Sequence, residues 1–272
     1  MTCAQLPRTG ATHETGPLVF ITGASSGIGQ ALARRYYDAG FRLALAARRT
    51  TALQLWADEQ GFSTGRYRIY HADVSIIDSI VAAGQTCVAA QGVPDVVIAN
   101  AGISIGMDTA ERGDLAVMAQ VLATNTVGAA ATFHPFVAGM VSRRCGTLVG
   151  IASVAGIRGL PGHGAYCASK AALIAYCESL RGELRATGVK VVTICPGYID
   201  TPLTRRNRYA MPFLMPVTRF AERAFSAIES GQSYTVTPWP MAAVAGLMSV
   251  LPNAMFDRVA ANRARKPRQG EH

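Results

Sequence analysis

The chain has 272 residues, half of them apolar and only 16% charged, a composition that supports a large buried core and excludes disordered or fibrous classes. Its formal net charge of +9 suits an anionic partner such as nucleic acid, an anionic membrane or a phosphorylated ligand. Nucleic acid is set aside, because no aromatic residues interleave the basic clusters (Arg205, Arg206, Arg208 and Arg263, Arg265, Lys266, Arg268) and no nucleic-acid-binding motif accompanies them.

Positions 1–16 form a polar leader without the apolar core of a secretory signal, so a cytoplasmic protein is expected. Apolar spacing then predicts a strand over 18–21, a Gly-rich turn, and an Ala-rich helix over about 28–39 that Gly40 stops. The unit repeats with strands over 43–47, 67–70 and 96–99 and helices over 50–59 and about 75–90. Long helical stretches follow over about 114–141 and 166–186, with strands over 147–152 and 190–194, the latter running into Pro196 and Gly197. Continuously apolar strands alternating with helices predict a parallel sheet covered on both faces. No linker or charge block divides the chain, so 17–272 reads as one doubly wound α/β domain. Beyond about 200 the pattern loosens into a lid (about 200–216) and a helical C-terminal segment (about 241–265).

That last segment is apolar over 241–251 but falls short of the about 20 residues needed to cross a bilayer. Three roles stand for it: a cover over the active site, a face for a partner subunit, or a contact with a membrane surface beside the basic tail. The tail itself reads as solvated. Six cysteines (Cys3, Cys87, Cys145, Cys167, Cys177, Cys195) form no C-x-x-C pair and mostly lie in apolar stretches. They read as small core residues in a reducing compartment, and with unclustered histidines they imply no metal site.

The turn after the first strand reads TGASSGIG over 22–29, with Gly23, Gly27 and Gly29 spaced G-x-x-x-G-x-G and Ser25, Ser26 and Ile28 between them. Side-chain-free positions let a backbone approach a pyrophosphate at a helix N-terminus, where free N–H groups and the helix dipole favour an anion. Glycine for turn geometry alone is the bland alternative. At the end of the second strand, where NAD-selective sites carry a carboxylate for the ribose 2′-hydroxyl, the chain has Ala47 followed by Arg48 and Arg49. An arginine there can pair with a 2′-phosphate, so NADP(H) is expected rather than NAD(H).

Tyr166 and Lys170, four apart in YCASK, would share one helix face. An ammonium beside a phenol favours phenolate and lowers the tyrosine pKa from about 10, which suits acid/base work. An ordinary amphipathic helix carries the same spacing by chance. Ser153 lies just past an apolar strand, where its hydroxyl could meet a substrate carbonyl. Asn125 interrupts a helical stretch although asparagine is a poor helix former. The loop Asn100, Ala101, Gly102 follows the fourth strand, as one near a cofactor would.

The ordered set TGASSGIG, Asp73 with Val74, NAG at 100–102, Asn125, Ser153, YCASK, and Pro196 with Gly197 resembles the short-chain dehydrogenase/reductase family, in its shorter single-domain branch, over about 17–202. The resemblance implies a Rossmann-like sheet of seven strands in the order 3-2-1-4-5-6-7 and hydride transfer between NADP(H) and a carbonyl or secondary alcohol. Tyr166 would be the general acid/base, Ser153 would hold the carbonyl, and Lys170 would bind the nicotinamide ribose and depress the Tyr166 pKa. Asn125 would anchor a relay water. Asp73 and Val74 would contact adenine, Asn100 and Gly102 would line the cofactor, and Ile199 with Thr201 would meet the nicotinamide carboxamide. Homodimers or homotetramers packed through the two long helices are implied as well. Ala99 departs from the family pattern, and so does the C-terminal end, which leaves the substrate open. Met211, Phe213, Leu214 and Met215 in the lid suggest an apolar one. A non-catalytic NADP(H)-binding sensor on the same fold is the competing reading, although it would need no acid/base group.

Overall fold

The structure is a computed structural model that describes residues 16–205, 207, 210–261 and 265–268. The leader expected over 1–16 lies outside the described residues except for Gly16, as do Arg206, Arg208 and Arg263.

Strand β1 (Leu18–Thr22) is buried at every position because both of its faces are covered. It pairs in parallel with β2 (Arg42–Ala47) on one side and β4 (Val96–Ala99) on the other. With β3 (Tyr67–His71), β5 (Gly146–Ile151), β6 (Val189–Pro196) and β9 (Tyr234–Thr237), they form one parallel sheet in the order β3-β2-β1-β4-β5-β6-β9. This is the order expected, the seventh strand being ninth in the chain because two short strands, β7 (Ile199–Asp200) and β8 (Met215–Pro216), pair with each other in between.

Side chains alternate along each strand, so the sheet sends two different sets to its two helical layers. Val19, Ile21, Leu43 and Leu45 pack on α1 (Gly27–Asp38), α2 (Thr50–Glu59) and α7 (Val217–Ser230). Leu18, Phe20, Val97 and Leu148 pack on α3 (Ile77–Gln91), α5 (Gly128–Ser142) and α6 (Gly164–Glu183). On the second face the Phe20 and Phe136 rings meet with centroids 4.9 Å apart. The strand order reverses between β1 and β4, which opens a crevice at the carboxyl ends of the strands.

The long stretch predicted over 114–141 is a continuous helical run: α4 (Asp114–Leu122), a π-helical turn (Ala123–Val127) and α5. By length and composition this run could cross a membrane. Its apolar content has a local cause, since Phe133, Phe136 and Met140 are fully buried in the core.

Beyond residue 200 the expectation needs correction. Residues 217–230, read as irregular, form α7, whose buried Phe220, Ala221, Ala224, Ala227 and Ile228 recur at helical spacing. The helical C-terminal segment is present as expected, as two helices, α8 (Trp239–Val250) and α9 (Asn253–Ala260), parted at Pro252 because the residue preceding a proline disfavours helical geometry. Residues 265–268 are not helical; their backbone pairs with Gly106. They are not merely a solvated tail either, since Arg265, Lys266 and Arg268 bond to Asp108, Ser104 and Asp114. Cys87, Cys167, Cys177 and Cys195 are buried free thiols as expected. Cys145 is disulfide-bonded instead. It lies half-buried in the turn between α5 and β5.

Candidate active site

The crevice is pinned at its centre by Thr22, the last residue of β1. Its hydroxyl accepts the N–H groups of Asn100 (3.1 Å) and Ala101 (3.2 Å), and its carbonyl accepts the Asn100 side-chain amide at 2.9 Å. These bonds join the ends of β1 and β4, and a Cβ on Gly102 would come within 3.3 Å of Asn125 Oδ1 and 3.5 Å of Lys170 Nζ.

From Thr22 the chain turns through Gly23 and Gly27, both in the left-handed region (φ 66° and 56°) that other residues avoid. Gly29 is required for a different reason: a Cβ there would overlap the Gly23 carbonyl. Helix α1 opens at Gly27 after Ser26, which makes no side-chain capping bond, and no acidic residue occupies the first turn. The free N–H groups of that turn, with the helix dipole behind them, are available to an anion. Ser25 and Ile28 line the same groove. Thr201, buried at the end of β7, packs its side chain over Gly27, and Ile199 is buried beside it.

Further along the groove, Arg48 and Arg49 follow β2. The Arg49 guanidinium donates to the Ser25 hydroxyl at 3.2 Å, and Arg48 pairs with Asp73 at 3.5 Å. Burial alone would raise the Asp73 pKa. Hydrogen bonds from the Ser75 hydroxyl (2.7 Å) and amide (2.9 Å), with Arg48 beside it, outweigh burial and hold the carboxyl below the usual range. Asp73 is thus a fixed anion, and Val74 next to it is buried.

The chemical end is built by β5, α6 and the π turn. Ser153 follows β5 and caps a short 3₁₀ turn, its hydroxyl accepting the Ala155 N–H at 3.1 Å. Tyr166 and Lys170 share one face of α6, with the ammonium 5.9 Å from the ring centroid. Lys170 is buried and donates to the Ile151 carbonyl at 2.7 Å. Burial pulls its pKa down to about 8, only partly offset by nearby cysteines. Burial also pushes the Tyr166 pKa up to about 12, and its hydrogen bond with Ser153 pulls back against that. The lowering expected from Lys170 is not found: desolvation of the phenolate dominates, and the ammonium donates to the Ile151 carbonyl.

Asn125 occupies the middle of the π turn, fully buried. Its side-chain oxygen accepts the Ile103 N–H (2.8 Å), and its amide donates to the Ile103 carbonyl (2.9 Å) and the Ser169 hydroxyl (2.9 Å). Ser169 in turn donates to the Tyr166 carbonyl at 2.8 Å. A π turn inside an α-helix is a common mark of a functional site.

The cleft therefore gathers the glycine turn, Arg48, Asp73, Val74, the 100–102 loop, Ser153, Tyr166, Lys170, Pro196, Gly197, Ile199 and Thr201 on one surface, with Asn125 just behind it. Of the lid residues, Phe213 and Leu214 are exposed, but Met215 belongs to β8 and is buried in the core. Sequence reasoning missed Thr22, Ile103 and Ser169 as supports. Thr22 and Ser169 lie inside the TGASSGIG and YCASK motifs; Ile103 acts through its backbone and gives no signal in residue type.

A family model described as short chain dehydrogenase matches residues 17–211. An uncharacterized oxidoreductase of Myxococcus xanthus is 40% identical over 240 residues, spanning 88% of this chain and 94% of its own. Dehydrogenase/reductase SDR family member 7B of Bos taurus is 32% identical, over 94% of this chain and 83% of its own. The solved short-chain dehydrogenase of Sphingobium yanoikuyae, in complex with NADPH, is 26% identical with a TM-score of 0.73, covering 88% of this chain and 97% of that one. A Burkholderia phymatum short-chain dehydrogenase/reductase in complex with NAD shares the fold at a TM-score of 0.77 and 24% identity, over 94% and 98% of the two chains.

Proposed function

The chain belongs to the short-chain dehydrogenase family of oxidoreductases, and on that premise we propose that it is an NADP(H)-dependent enzyme interconverting a carbonyl compound and its secondary alcohol. The observation that carries this reading is the joining of Ser153, Tyr166 and Lys170 to the glycine turn in one cleft. The glycine cradle and the uncapped α1 N-terminus suit a pyrophosphate, and Arg48 and Arg49 suit a 2′-phosphate, so the residues present fit this nucleotide. When bound, the nicotinamide supplies or accepts the hydride.

The protein's own part is proton handling and orientation. Ser153 would donate a hydrogen bond to the carbonyl oxygen and set its position beside Tyr166. The Tyr166 phenol, kept protonated by burial, would give its proton to that oxygen during reduction and take it back during oxidation. Lys170, as an ammonium, would hold the ribose hydroxyls and stabilise the tyrosinate as it forms. Both amide donors of Asn125 are already used on protein groups, so a relay water would meet its backbone in the π turn. The exposed Phe213 and Leu214 favour an apolar substrate. A cytoplasmic location and assembly into dimers or tetramers complete the proposal.

Two measurements test it here. Replacing Arg48 and Arg49 together with alanine should weaken NADPH binding by about 10- to 100-fold, the worth of one or two charge-assisted hydrogen bonds. NADH binding should stay within about twofold. Fluorescence titration with both nucleotides reads the difference, and equal losses for the two would sink the 2′-phosphate assignment.

The second is a pH profile. kcat/KM for the nucleotide reports groups of the free enzyme. It should fall about tenfold per pH unit as pH rises through about 8, because Lys170 then loses the ammonium. A profile flat between pH 7 and 9.5 would contradict that role.

A further inference from the structure

The C-terminal segment beyond α9 is bound to the β4–α4 loop by contacts that do not involve the groups assigned above. Its backbone runs beside the β4–α4 loop, where the Gly106 N–H donates to the Pro267 carbonyl at 3.1 Å. A Cβ on Gly106 would overlap the Lys266 carbonyl, and one on Gly162, itself at φ 73°, would fall 2.9 Å from the Arg265 Cβ. The loop and the head of α6 are therefore shaped to receive this segment.

Its side chains complete the fit. Lys266 donates to the Ser104 hydroxyl at 2.8 Å, and Arg265 pairs with Asp108 at 3.3 Å. Arg268 grips Asp114 with two bonds, Nε at 2.7 Å and Nη2 at 3.2 Å, and lies 3.7 Å from Glu111. Asp114 is buried at the start of α4 and also accepts the Asp108 N–H at 2.8 Å, so one carboxylate ties the segment to both ends of the loop's turn. The Arg268 bond, with that amide, holds its carboxyl below the usual range.

The loop so gripped touches the catalytic groups twice. Ile103, three residues before Gly106, makes both backbone bonds to Asn125. Met107, the residue after Gly106, donates its N–H to the Gly162 carbonyl at 3.3 Å, four residues before Tyr166.

We propose that residues 265–268 act as a strap that positions the active site, with Arg268 as the positioning residue: by holding Asp114 and Gly106 it keeps Ile103 on Asn125 and the loop on the head of α6. Its effect on turnover rests on the oxidoreductase reading; its effect on the loop does not.

The test compares R268A, R268K and G106A in the full chain, using hydrogen exchange over 100–108, nucleotide affinity, and kcat and KM for a carbonyl substrate. R268A and G106A should both raise exchange at the Ile103 amide and lower kcat by about tenfold, within the range of couplings carried through packed networks. Nucleotide affinity should stay within twofold. R268K, which keeps the charge but not the two-pronged grip, should recover part of kcat. G106A displaces the strap without touching a charge, so it keeps the test open if R268A folds poorly. Unchanged Ile103 exchange in both variants overturns the proposal, and so does faster exchange with kcat within twofold of wild type. Faster exchange in a protein whose wild type reduces no carbonyl supports the strap's hold on the loop and sinks the enzyme reading instead.

Discussion

Tyr166→Phe is expected to lower kcat by about 10²- to 10⁴-fold, the range that a positioned acid/base contributes, while nucleotide binding stays within about twofold. The substitution removes one hydroxyl and leaves the ring, so the packing of α6 against the π turn should persist. The hydroxyl is the group that hydrogen-bonds Ser153 and whose pKa burial pushes up to about 12. At neutral pH it is therefore fully protonated, the state a proton donor to a carbonyl must be in. The check follows NADPH oxidation at 340 nm across ketones, quinones, steroids and thioesters, with wild type and variant side by side. Full turnover in the variant would remove Tyr166 from the chemistry. Tight nucleotide binding by a wild type without turnover on any carbonyl would favour a non-catalytic sensor on this fold.

Gly29→Ala should weaken nucleotide binding by up to about 100-fold, as overpacking costs about 1–3 kcal/mol and each 1.4 kcal/mol is tenfold. The added methyl would overlap the Gly23 carbonyl and come within 2.9 Å of the Ala24 Cα. Those atoms are backbone of the turn itself and have no rotamer to change, so relief requires opening the cradle that would receive the pyrophosphate. Gly182→Ala on α6 is the control, because a Cβ there meets nothing within 4 Å and alanine is the better helix former. Binding and melting temperature measured on both variants decide the matter. A Gly29→Ala protein that binds NADPH like wild type would show that the turn is glycine-rich for geometry alone.

Local pattern alone was enough to read most of the fold. The strand over 96–99 and the helix over 50–59 appear with the expected bounds, because a strand apolar on every residue has few stable places other than the middle of a covered parallel sheet. The seven-strand order, and the residues from Gly23 to Thr201 that the fold gathers in one cleft, were legible through the resemblance carried by ordered motifs, each weak alone. Helix α7 is not legible in the sequence although Phe220, Ala224 and Ile228 mark its buried face; the prolines and methionines around it suggest irregularity, and only docking on α1 and on β7, β8 and β9 selects the helix.

What the sequence determined by itself is thus the alternation of elements, the glycine turn between β1 and α1, and the spacing that puts Tyr166 and Lys170 on one helix face. Three things were decided only by tertiary structure. The balance of burial against charge at Tyr166 was one, since desolvation depends on everything packed around the phenol and a four-residue spacing reports only one neighbour. The pairing of Arg268 with Asp114 was another, since residues 154 positions apart meet only when the chain end returns across the β4–α4 loop. The last was the hold of Ile103 on Asn125, a backbone contact in which the isoleucine side chain takes no part and which leaves no trace in residue type.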